Sequence, residues 1–384
     1  MSNASLISQF ADVPDPRIDR TKRHKLIDII AIAICGVICG ANDWVAIEAY
    51  GQAKESWLRQ FLELPNGIPS HDTFGDVFAR LDSDAFRRCF LDWVEAVAVA
   101  TQGQVIAFDG KCLRGSHDSL LGKNAIYMVS AWATQNHLVL GQMKVDDKSN
   151  EITAIPALLA LLDVSGCIVT IDAMGCQKDI AQAIVDGQGD YVLALKENHP
   201  LLYQEVSSLF QATSPLAQQA YAPDHARTVE KDHGRLEIRD CWTLSDPHGF
   251  PFLPDAAAWA KLSTLAMLRR ERQFPDHTTI ETAFYLSSLP GSASRVLDAT
   301  RAHWGIENSL HWVLDVAFRE DDQRYRTDNG PQNSAILRHI ALNLLKQETT
   351  AKGGIQTKRL RAGWDDTYLL KVLGVVVPSL PSSV

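Results

Sequence analysis

Two short apolar runs in this chain each end on an aspartate: Val105-Ile106-Ala107-Phe108 leads into Asp109, and Cys167-Ile168-Val169-Thr170-Ile171 leads into Asp172. Runs of this length and make-up read as buried strands. A carboxylate at the end of such a strand is costly unless a cation or a hydrogen-bond network compensates it. The fold must therefore bring these two strand ends to a common place where compensation exists. A third acid, Glu307, sits in the helical-looking stretch His303-Trp304-Gly305-Ile306-Glu307-Asn308. Divalent metal is the natural compensator for such a set, and oxygen-only donors favour magnesium or manganese over zinc. Two such ions, held by Asp109, Asp172 and Glu307, suit phosphodiester chemistry, in which one oxygen attacks and another leaves.

A chain of 384 residues with 46% hydrophobic content supports two or three structural units. Its net charge of −9 excludes a uniformly basic nucleic-acid binder. Any DNA contact must come from local patches. Candidates lie at both ends: Arg17, Arg20, Lys22, Arg23, His24 and Lys25 near the start, and Lys346, Lys352, Lys358, Arg359, Arg361 and Lys371 near the finish. Solvated surface charge explains either run equally well. The seven cysteines contain no Cys-x-x-Cys pair, and no secretory leader is read, so reduced thiols and a cytoplasmic, nucleoid-associated location are expected. The apolar run from Leu26 to Ala41 is short for a membrane span and contains Asp28, so it reads as a buried helix.

Residues 1–100 have helical spacing over Leu26–Cys39, Trp44–Phe61, Asp72–Leu81 and Ala85–Ala98, an all-α N-terminal domain suited to DNA binding or dimerisation. Ser70-His71-Asp72 holds the residue types of a hydrolase triad, but adjacent residues cannot converge, and Ser70 reads as a helix cap. From about residue 104 the period changes. Strands are expected at Val105–Phe108, Ile126–Ala133, Leu138–Val145, Ile168–Ile171 and Tyr191–Leu195, with helices at Ile152–Leu162 and Asp179–Val185. The order β-β-β-α-β-α-β is that of an RNase H-like α/β fold, whose first and fourth strands lie side by side. The reading is an RNase H-like catalytic domain over 101–345, a β-rich insertion at about 200–290, and a basic C-terminal segment over 346–384. Candidate strands in the insertion are Arg235–Leu244, Leu262–Arg269 and Thr279–Leu286, and Arg235, Arg239, Arg269, Arg270 and Arg272 on them are either DNA contacts or solvated charges.

His303, Glu307, His311 and Asp315 recur every four residues in a segment otherwise rich in Trp304, Ile306, Leu310, Trp312, Val313 and Leu314. A polar stripe bounded by apolar neighbours is expected to face a site. An internal ladder of His and acid pairs is the plainer alternative. The His-Glu-x-x-His zinc motif is absent. Trp304 reads either as core or as a stacking platform for an unpaired base.

Further motifs run through nearly the whole chain: Pro14-Asp15-Pro16-Arg17, Gly67-Ile68-Pro69-Ser70-His71-Asp72-Thr73-Phe74-Gly75, Asp109-Gly110-Lys111, Val129-Ser130-Ala131-Trp132, Asn150-Glu151-Ile152-Thr153-Ala154-Ile155-Pro156, Thr170 to Gln177, His303 to Asp315, and Leu360 to Asp365. In this order they resemble the DDE transposases of ISAs-type insertion sequences, the H-repeat-associated group. The resemblance implies an RNase H-like domain with Asp109, Asp172 and Glu307 as the metal-binding catalytic acids. It also implies terminal inverted repeats and target DNA as partners, strand cleavage and strand transfer as the reaction, and a homodimer in the DNA complex. Lys196 and Asn198 resemble the family's Lys-x-Asn segment. The Tyr, Arg and Lys that flank the catalytic Glu in the wider IS-four-related group are here Thr300, His303 and Leu314. That extended signature is not carried over, with Arg301 and His303 as the candidates to substitute for it. Lys111, His311 and Asp315 complete the set of candidate DNA-contacting or supporting residues. A defective or domesticated DNA-binding relative, and a stand-alone RNase H-like nuclease, are the alternatives.

Overall fold

The computed structural model describes residues 6–97, 103–117, 124–145, 150–211, 221, 223–232, 234–246 and 248–374. The first helices are α1 (Leu6–Gln9), α2 (Leu26–Ile38), α3 (Trp44–Leu58), α4 (His71–Arg80) and α5 (Ser83–Val97). Helix α2 is apolar on every side because it is enclosed on every side: Ile29, Ile30, Ile32, Ile34 and Ile38 are all buried. It does not carry a membrane span, and no helix among the described residues is long and apolar enough to cross one. The Ser70 hydroxyl accepts from the Thr73 amide at the start of α4, while His71 Nδ1 pairs with Glu48 Oε2 at 2.6 Å. Ser70-His71-Asp72 is thus a helix start and no triad.

Nine strands among the described residues form one sheet: β1 (Val105–Leu113), β2 (Ile126–Ala133), β3 (Leu138–Lys144), β4 (Ile168–Ile171), β5 (Asp190–Leu195), β6 (Asp224–Asp232), β7 (Arg235–Ser245), β8 (Thr264–Gln273) and β9 (Thr278–Ser287). Their spatial order is β3-β2-β1-β4-β5-β9-β8-β7-β6. Strands β1, β4 and β5 are parallel, and the β2–β3 hairpin adds to them antiparallel, which is the RNase H-like arrangement. The β-rich stretch joins the same sheet through antiparallel pairing of β9 with β5 and continues as a meander to β6. Strand β6 carries Asp224, His225, Arg227, Glu230 and Lys231, the charged composition that protects an exposed edge.

The remaining helices are α6 (Glu151–Leu159), α7 (Lys178–Asp186), α8 (Pro200–Gln211), α9 (Ala293–Ile306), α10 (Trp312–Phe318), α11 (Gly330–Gln347), α12 (Ile355–Trp364) and α13 (Asp366–Val372). Successive strand residues point to opposite faces of a sheet. Val169, Ile171, Tyr191 and Leu193 join the large core with Ile155 and Leu158 of α6 and Ile180 and Ile184 of α7. Val105, Ile168 and Val192 pack instead with Val296 and Leu297 of α9. Asp172, four residues beyond Ile168, falls on the α9 face.

Part of the basic clusters read from sequence is engaged within the chain, while Arg20, Arg23, Lys352 and Lys371 are exposed. Arg17 is buried and bound to Asp15 and to the His24 carbonyl, and Lys25 pairs with Glu63. Arg239, Arg270 and Arg272 interleave with Glu230, Glu237 and Glu281 across the strands. Lys358 donates to the Leu345 and Glu348 carbonyls at the end of α11. Arg359, 1% exposed, donates to the carbonyls of Val37 and Ala317 and to Asn42. The C-terminal segment, as far as it is described, is packed onto α2 and α11, and its lysine and arginine at 358 and 359 bind main-chain carbonyls. Residues 375–384 of that segment lie outside the described residues.

Candidate active site

The pairing register of β1 and β4 builds the first half of the site. Phe108 lies opposite Ile171 in the parallel ladder, and each is followed by its aspartate. Neighbouring strands stand about 4.8 Å apart, so Asp109 and Asp172 emerge side by side on one face. Strand β4 ends at Ile171, and the Asp172 carboxylate turns back to accept from the amides of Met174 (3.1 Å) and Gly175 (3.4 Å). Asp109 Oδ1 accepts from the Gly110 amide at 2.9 Å, and its Oδ2 lies 3.3 Å from His311 Nδ1.

Glu307 arrives from across a cavity of about 630 Å³ whose wall includes Asp109, Asp172, Lys196, His303, Trp304 and Glu307. It opens a π-helical turn, Glu307–His311, between α9 and α10. Four residues of α-helix overshoot a full turn by about 40°. A stripe spaced by four would therefore wind away from the sheet within three steps. The wider π turn takes more residues per revolution and returns the stripe to it. His303 Nδ1 and the Thr170 hydroxyl of β4 are 3.0 Å apart, His311 meets Asp109, and Asp315 meets Lys111. Glu307, between them, forms no ion pair among the described residues. The stripe thus fastens α9 and α10 to β4 and β1 and leaves Glu307 facing the cavity.

A fourth carboxylate belongs to the same neighbourhood. Glu151 opens α6, whose N-cap Asn150 accepts from the Ile152 amide. Its side chain folds over Gly110: a Cβ at that glycine would stand 2.0 Å from Glu151 Oε1. Burial, with the charges of Asp172 and Asp109 adding to it, pushes the Glu151 carboxyl up to about 7. Burial holds His303 below its ordinary value despite the pull of Asp109, Asp172 and Glu307. Sequence reading did not include Glu151 in the site. An acid in the first turn of a helix is commonplace, and only its position in the family-like run Asn150-Glu151-Ile152 set it apart.

The other expected residues divide. Lys196 lines the cavity and is exposed, with no ion pair among the described residues. Trp304 is exposed at the rim, with the Arg270 guanidinium 4.9 Å from its ring centre. Asn198 is exposed, and its Nδ2 donates to the Ala173 carbonyl at 2.7 Å. Arg301 pairs with Glu230 at 2.5 Å. Lys111 is committed to Asp315 and Glu320.

Among the described residues no three His, Cys, Asp or Glu side chains gather within reach of one ion. A hard cation such as magnesium is usually held by one or two carboxylates and completed by water and substrate phosphates. The donor set, carboxylate oxygens with no lysine or arginine neutralising Asp172 or Glu307 among the described residues, fits such an ion chemically.

Residues 7–94 match the family described as "DDE_Tnp_1-associated", and residues 100–344 match "Transposase DDE domain". The chain is 39% identical over 374 residues to "Putative transposase YncI" of Escherichia coli O157:H7, covering 97% of this chain and 95% of that protein. It is 38% identical over 385 residues to "H repeat-associated putative transposase YhhI" of Escherichia coli strain K12, covering 97% of this chain and 98% of that one. With one match spanning the helical N-terminal region and the other the whole sheet with its acids, this chain belongs to the DDE transposase family.

Proposed function

We propose that this protein cuts DNA strands at the terminal inverted repeats of a mobile element and joins the ends to target DNA. The observation that carries this reading is the register of β1 and β4, which sets Asp109 beside Asp172 on the cavity that Glu307 faces. Asp109 and Asp172 would hold one divalent ion and Asp109 with Glu307 a second. Magnesium or manganese bound there supplies Lewis-acid stabilisation of the phosphoryl oxygens and lowers the pKa of an attacking water. His311, against Asp109, fixes the carboxylate's orientation. Lys196 and the Trp304 rim receive the DNA backbone and the end of the duplex. The 3′ hydroxyl left by cutting is then held in line with a target phosphate on the same residues, with no covalent protein intermediate. Two ends must be processed together, which calls for two copies of the chain on DNA.

The test is cleavage of a labelled duplex carrying the terminal repeat that flanks this gene, with magnesium, by the full chain and by Glu307→Gln. Cutting at the repeat end that the variant loses supports the reading. Repeat binding without cutting by either protein identifies a DNA-binding relative that has lost the chemistry. Cutting that persists in Asp109→Ala sinks the assignment of the acids.

A further inference from the structure

Asp109 and Lys111 are two apart on β1 and so share a face, while His311 and Asp315 are four apart on the helix that faces it. Two strand residues span about 6.7 Å and four helical residues rise about 6 Å, so the pairs can meet rung for rung. They do: Asp109 meets His311 at 3.3 Å, and Lys111 Nζ meets Asp315 Oδ1. The Lys111 ammonium is also 2.9 Å from Glu320 Oε2 and 3.4 Å from the His311 carbonyl. Glu320 in turn accepts from Arg338 Nε of α11 at 2.8 Å. Glu320 is 3% exposed, and although burial works against its charge, Arg338 and Lys111 hold its carboxyl down at about 2. All three ammonium donors of Lys111 are thereby directed at protein oxygens.

We propose that Lys111 is a positioning residue that, with Glu320 and Arg338, sets the separation between Asp109 and Glu307 and makes no contact with DNA phosphate. This rests on the functional reading above. Glu307 lies one turn before His311 on the helix that Lys111 fastens, so a shift of that helix along β1 moves Glu307 relative to Asp109 directly. Arg338 ties the same point to α11, which also packs on α2, so this buried network is one of the places where the helical core meets the catalytic sheet.

Lys111→Met distinguishes positioning from charge and from DNA contact. Manganese affinity of the full chain without DNA is measured by water-proton relaxation, and terminal-repeat affinity as a function of salt. Removing a nearby positive charge should by itself tighten manganese. Misplacing the acids should weaken it. The expected result is manganese binding weakened tenfold or more, with repeat affinity within about twofold of the parent and an unchanged salt slope. Manganese bound as tightly or more tightly, or a salt slope reduced by about one as for a lost phosphate contact, overturns the proposal. If Lys111→Met does not fold, Lys111→Arg, which keeps the charge but not the fit between Asp315 and Glu320, is read by the same two measurements and the same criteria. A parent protein that binds manganese but never cuts the repeat counts against the transposase reading alone, since the manganese comparison still decides the role of Lys111.

Discussion

Replacing Glu151 with glutamine should stabilise this protein, and only at neutral to alkaline pH. The carboxyl moves from an ordinary 4.5 to about 7, because burial over Gly110 and the charges of Asp172 and Asp109 disfavour its ionised form. At about 1.4 kcal/mol per tenfold change, that shift is worth roughly 3 kcal/mol. The group is only half-buried, and screening reduces the figure to about 2 kcal/mol. The folded state holds this proton more tightly than the unfolded chain does. Stability is therefore lost as pH rises from about 4.5 through about 7, and the loss is complete above it. Glutamine keeps the shape and never ionises. Urea unfolding followed by tryptophan fluorescence should find Glu151→Gln about 2 kcal/mol more stable than the parent near pH 8, and only a few tenths more stable near pH 5. Magnesium in excess should narrow the difference at pH 8, since it offsets the charge of the neighbouring aspartates. A variant equally stabilised at both pH values, or destabilised at pH 8, would refute the claim that Glu151 is a strained member of this acidic group.

Gly110→Ala puts a methyl where Glu151 Oε1 now sits, and because the end of a glutamate can swing away, the cost in stability should be small. The expelled carboxylate should regain an ordinary pKa, so the same pH series should lose most of its slope. Lys196→Ala removes an exposed cation from the cavity rim, and the salt slope of repeat binding should fall by about one, in contrast to Lys111→Met. Arg359→Met takes the buried guanidinium from the Ala317 carbonyl, the Val37 carbonyl and Asn42, and chemical unfolding should report a loss of about 3 kcal/mol or more.

How far this site could be read from sequence follows from which interactions are local. The acids at 109 and 172 were visible because a charge ending an apolar run violates a local expectation, and the stripe at 303, 307, 311 and 315 because its spacing contradicts the apolar residues around it. Strand β6 was not visible, since an edge strand with polar residues on both faces carries no alternation. Nor was the union of the insertion with the central sheet, because nothing in Thr278–Ser287 encodes which free edge its backbone will meet; the edge left open by β5 decides that. The basic clusters meet a related limit. Charge is written in the sequence, but its partner is set by packing, and Arg359 finds carbonyls of Val37 and Ala317 far from it along the chain. Glu151 shows the same limit within the site itself. Its helix-start role is a local fact, whereas its place over Gly110 depends on α6 lying across the strand that carries Asp109. A lone glycine directly after Asp109, inside β1, was the nearest local sign. It marks where another chain segment must approach too closely for a side chain, and here the segment that approaches brings a carboxylate with it.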